Sequence, residues 1–117
     1  MKTTIQQKFM QNYDNLDLLK LPEVIKRHGF EYKLLRRTNH KCLYSQFGNN
    51  RVESYEVFYT KIVNHRKNMT RLALRDSSID PMKYPEFKEV FPSDEEFGKR
   101  AWSYPTLELA ESAFNSK

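Results

Sequence analysis

Glycine and cysteine are scarce in this chain. Its 117 residues include three Gly, five Pro and one Cys. So little Gly and Pro argues against a loop-dominated or low-complexity chain, and three isolated glycines make no phosphate-cradling loop. Cys42 has no second cysteine to pair with, which excludes an intramolecular disulfide and a multi-cysteine zinc site. His28, His40 and His65 stand 12 and 25 residues apart, without the close spacing that fixes two metal ligands on one element. No run approaches the ~18 consecutive apolar residues of a membrane span. The opening Met1-Lys2-Thr3-Thr4-Ile5-Gln6-Gln7 lacks the apolar core of a signal peptide. These absences point to a cytoplasmic protein that does not engage a membrane, and no motif implies a cofactor.

What the chain has is aromatic residues and unevenly placed charge. Eight Phe, seven Tyr and one Trp make up 14% of the residues, a composition that a disordered chain lacks. One domain covering 1–117 is the expectation from length. Residues 26–75 hold twelve Lys/Arg against three Asp/Glu, whereas 76–117 hold five against nine. Gathering like charges costs free energy, so a one-signed surface implies an oppositely charged partner. The two opposite halves also allow head-to-tail self-association.

The patterning predicts an α+β fold. Ile5, Phe9 and Tyr13 recur every four residues and suggest a short helix. Pro22 at a first helical position and Gly29 as a stop predict a second over 21–28. Strands are expected over 30–37, 41–47, 53–63 and 69–74, separated by Thr38-Asn39-His40, Gly48-Asn49-Asn50 and the basic tip Asn64–Asn68. Such short connections make an antiparallel sheet of about four strands. A further short strand is expected over 87–91 and an extended piece over 102–104. Ser93 and Glu96 form a capping box, and Thr106 caps a last helix with Leu107, Ala110 and Phe114 on one stripe. That helix is expected to cover one face of the sheet.

The leading functional expectation is a non-enzymatic protein that contacts nucleic acid without reading bases. Lys33, Arg36, Arg37, Lys41, Lys61, Arg66, Lys67 and Arg71 are the candidate phosphate contacts, with Tyr55 and Tyr59 as stacking platforms. A protein-interaction module or inhibitor is the alternative, with Phe97, Trp102 and Tyr104 as anchors beside Asp94-Glu95-Glu96. A metal-dependent nuclease is the third, from Glu86-Phe87-Lys88 with Asp76 and Asp80 upstream. Cys42, alternating with Tyr44, is expected to be a small core residue rather than a nucleophile.

Tyr55-Glu56-Val57-Phe58, followed by Phe91-Pro92-Ser93-Asp94-Glu95-Glu96-Phe97-Gly98-Lys99-Arg100-Ala101-Trp102 and an Ala/Phe-rich helix, resembles a group of small bacterial and phage-borne proteins. Those pair a YEVF-like strand with an FPSxEDFGxxAW segment, and no activity is established for them. The resemblance implies that 53–117 folds as a unit with Trp102 structural, in a mobile-element setting. It carries over no catalytic residue.

Overall fold

A computed structural model describes Tyr13 and residues 16–116. In chain order the elements are β1 Leu18–Leu19, β2 Val24–Arg27, β3 Phe30–Arg37, β4 Lys41–Gly48, β5 Arg51–Tyr59, β6 Ile62–Asn64, helix α1 His65–Ala73, β7 Phe87–Glu89, β8 Ala101–Tyr104 and helix α2 Leu107–Ser116. Among the described residues the fold is α+β, with eight strands in two sheets rather than about four in one. Contacts gather the chain into two compact units: 1–21 with 61–90, and 22–60 with 91–117.

The larger unit is a five-stranded antiparallel sheet in the order β2-β3-β4-β5-β8. Its hairpins explain the main correction to the expected helices. Residues 21–28 are not helical: Val24–Arg27 pairs with Lys33–Phe30. His28 and Gly29 both have positive φ, 53° and 81°, as the two central residues of a type I′ turn require. Gly29 is therefore a hairpin residue and not a helix stop, and the β-branched pair Val24-Ile25 follows its strand preference. Asn49 and Asn50, at 53° and 62°, close the β4–β5 hairpin in the same way. The helix expected around Ile5–Tyr13 lies outside the described residues, apart from Tyr13.

Cross-strand partners share a face. Leu43, Val57 and Trp102 lie in one row, with Tyr55 and Tyr104 in the next, and helix α2 packs on this face through Ala110 and Phe114. The Thr106 hydroxyl accepts from the Leu109 amide and starts that helix as expected. The opposite face carries Tyr32, Tyr44 and Phe58. Phe91 packs into them, its ring centroid 4.8, 5.8 and 5.2 Å from theirs. The sheet is thus buried on both faces, which is why β4 is a nearly continuous buried run from Cys42 to Ser45.

The smaller unit has a three-stranded mixed sheet, β1-β7-β6, with β1 parallel to β7 and β6 antiparallel to it. Residues 69–74, expected as a strand, belong instead to α1 and its C-cap. The Asn64 side chain accepts from the Lys67 amide at 2.8 Å and opens the helix. Arg66, Lys67, Met69, Arg71, Leu72 and Ala73 are good helix formers, and nothing in the run alternates as a strand would.

Candidate nucleic-acid interface

Three of the sheet's candidates share the face that α2 covers. Lys33 pairs with Val24 and Ser45, and Arg36 pairs with Leu43. Lys41 pairs with Tyr59. Arg36 and Lys41 both stand over the Phe114 ring, at 4.7 and 5.0 Å from its centroid. Lys41 also donates to the Phe114 carbonyl in the last turn of α2. Cations there complement the negative end of the helix dipole. Arg37 pairs with Cys42 on the opposite face. The basic sheet therefore does not present one cationic surface.

The expected stacking tyrosines are placed unequally. Tyr55 is half-buried and packs, with Tyr104, against the core under α2. Tyr59 is 38% exposed and meets Trp102 edge-on at 5.8 Å. Phe97 and Trp102 are likewise half-buried. Phe47, which was not among the expected platforms, exposes 42% of its surface on the same sheet face. Its signal was available: it is the one aromatic of β4 next to the Gly48-Asn49-Asn50 turn, where α2 does not reach.

The remaining cations, Lys61, Arg66, Lys67 and Arg71, fall in the smaller unit. Arg66 is a structural residue. Its guanidinium donates to the Asp17 carboxylate at 3.0 Å and the Tyr84 carbonyl at 3.1 Å, and Asp17 also accepts from the Glu86 amide. Lys67 and Arg71 are exposed one turn apart on α1, and Arg75, also exposed, lies in the turn after the helix. Helix α1 buries no residue completely. Leu74 beside this stripe is 86% exposed. From Lys61 to Arg75 there are five Lys/Arg and no Asp or Glu. The first turn of α1 carries His65, Arg66 and Lys67, where the dipole favours acidic side chains.

No protein family, curated protein or solved structure matches this chain.

Asp76 and Asp80 of the nuclease expectation are occupied locally. Asp76 accepts from the amide and hydroxyl of Ser78, and Asp80 caps a short turn by accepting from the Met82 amide. Among the described residues, no three His, Cys, Asp or Glu side chains stand together as a metal site. Among the same residues no helix is long and apolar enough to cross a membrane.

Cys42 is fully buried, and burial pushes its thiol up to about 11. The thiolate is the reactive form, so native Cys42 is inert. Iodoacetamide at mildly alkaline pH will leave the folded protein unmodified and alkylate it stoichiometrically in denaturant, read by intact mass. Labelling of the folded protein would place Cys42 at the surface.

Proposed function

We propose that the protein is a non-catalytic, cytoplasmic nucleic-acid-binding protein that uses helix α1 to grip the phosphate backbone. One observation carries this reading: Lys67 and Arg71 form an exposed stripe one turn apart on α1, with exposed Arg75 in the turn that follows the helix, in a segment without a single carboxylate. Such a stripe spans phosphates along a groove edge without reading base identity. Lys67 stands in the first turn of α1, where a cation weakens an isolated helix and a bound polyanion offsets that cost. Lys61, just before β6, adds to the same field. A small protein of this kind suits the mobile-element setting that the C-terminal resemblance implies.

Fluorescence anisotropy with a short DNA duplex tests it. Log K will fall with log salt at about 0.9 per phosphate contact, whatever the sequence. Replacing Lys67, Arg71 and Arg75 together by Ala will weaken binding about tenfold and reduce the slope by roughly 2–3. No duplex binding at about 50 mM salt, or an unchanged slope in the triple variant, would refute the reading.

A further inference from the structure

At one end of the five-stranded sheet, two recesses of opposite chemistry adjoin. The first, of about 540 Å³, opens between the His28-Gly29 and Asn49-Asn50 turns. Lys26, Arg27 and His28 line one side and the two asparagines the other, with Phe30 and Gly48 between them. The second, of about 330 Å³, lies on the sheet face beyond the reach of α2, lined by Val24, Lys33, Ser45, Phe47 and Val52. The two share Glu31 and Phe47, so they form one continuous trough.

The trough's construction is specific. Both turns need residues that accept positive φ, and Asn meets that need while adding an amide that can donate and accept. Gly48 allows the Phe30 ring to lie on the strand, since a Cβ there would come within 2.5 Å of the ring. Glu31 stands directly opposite Lys26 on the neighbouring strand, which balances its charge. Arg27 is anchored by donating to the Pro92 carbonyl at 3.0 Å. Lys26, His28 and Lys33 thus supply the exposed basic groups around the trough.

We infer that this trough takes one unpaired nucleotide of a single strand, with its base on Phe47 and its phosphate between Lys26, His28 and the asparagine amides. The inference deepens the nucleic-acid reading above and rests on it. An anionic group joined to a flat aromatic one matches both arms of the trough, where a purely apolar or purely anionic ligand would satisfy only one. Val52, exposed and paired with Phe47 on the neighbouring strand, extends its platform. Lys33, beside Val24 on the same face, meets the next phosphate of the strand. A duplex keeps its bases stacked inside and cannot reach Phe47, so the trough is selective for single strands.

Amide and aromatic NMR shifts on titration with thymidine 5′-monophosphate, inorganic phosphate and a short oligothymidylate test this. The oligothymidylate will shift Phe47, His28, Asn49 and Asn50 together. Phosphate alone will shift only the turn residues. Phe47→Leu keeps an apolar side chain but loses the ring, and Lys26→Ala loses the cation. Each will weaken single-strand binding about tenfold and leave duplex binding unchanged. His28→Asn, which tolerates the turn's backbone, serves as a third variant. If duplex binds but the single strand neither shifts the trough nor responds to these variants, the inference fails and the α1 reading stands. If neither form binds, both fail.

Discussion

Replacing Phe58 by Ala will destabilise the protein by about 3–5 kcal/mol. Phe58 is fully buried on the face of the sheet away from α2. Its ring lies parallel to that of Tyr44, with centroids 5.7 Å apart, and meets Phe91 edge-on. The Arg100 guanidinium stands over its ring at 5.9 Å and is held there by the Glu96 carboxylate. The walls of the resulting void are strand backbone and rings fixed by other partners, so they cannot collapse into it. The cost therefore includes the cavity as well as the lost transfer energy. Tyr59→Ala, one residue on but on the opposite and partly exposed face, will cost about 1 kcal/mol, as for an ordinary partly buried contact. Urea denaturation will show the Phe58→Ala midpoint falling with little change of slope. A loss no larger than that of Tyr59→Ala would mean that the Phe91 face is not a core.

That second core was not legible in the sequence. The central strands were, because Glu53 to Tyr59 and Lys41 to Phe47 carry aromatic and apolar residues on both sides of an Asn-rich turn. Thr106, Ala110 and Phe114 likewise marked the last helix. What the pattern concealed was that Phe91 and Pro92 close the other face: a segment read as the end of a short strand acts as a lid for Tyr32, Tyr44 and Phe58. The two misassigned segments failed for a common reason, in that one punctuating residue serves two motifs. Gly29 can end a helix or complete a type I′ turn, and only the strand pairing of Val24–Arg27 decides which. Asn64 can sit in a turn or cap a helix, and its bond to the Lys67 amide decides that case.

The basic block was legible as composition and not as a surface. Strand alternation divides Lys33, Arg36 and Lys41 from Arg37, and two of the three on the first face serve Phe114 at the end of α2. Lys67 and Arg71 stand one above the other because 65–73 is a helix, and the sequence expectation had divided them between a turn and a strand.

Glu89→Ala will cost about 2–4 kcal/mol, the other large effect. Glu89, on β7 of the smaller unit, exposes 1% of its surface. Its carboxyl accepts from the Tyr13 hydroxyl and, at 2.8 Å, from the Leu21 amide. It thereby ties two points preceding the larger sheet in sequence to β7. Alanine leaves the buried Tyr13 hydroxyl and the half-buried Leu21 amide without that acceptor and opens a void. Glu89→Gln separates this loss from charge. Burial raises the Glu89 carboxyl above its ordinary value of 4.5, with the Leu21 amide acting in the opposite direction. For an acid raised in the fold, the stabilisation is complete below the unfolded pKa and is lost as pH rises through the folded one. Wild-type stability will therefore decline relative to Glu89→Gln as pH rises from about 4 towards neutrality. Glu56, raised by burial despite hydrogen bonds from Ser103 and Ser54, adds a decline of the same sign, and Glu56→Gln will remove it. Denaturation midpoints across that range measure both. A difference between wild type and Glu89→Gln that stays constant with pH would show that the carboxyl ionises as freely in the fold as in the unfolded chain, and an Ala variant as stable as wild type would show that the two donors find other acceptors.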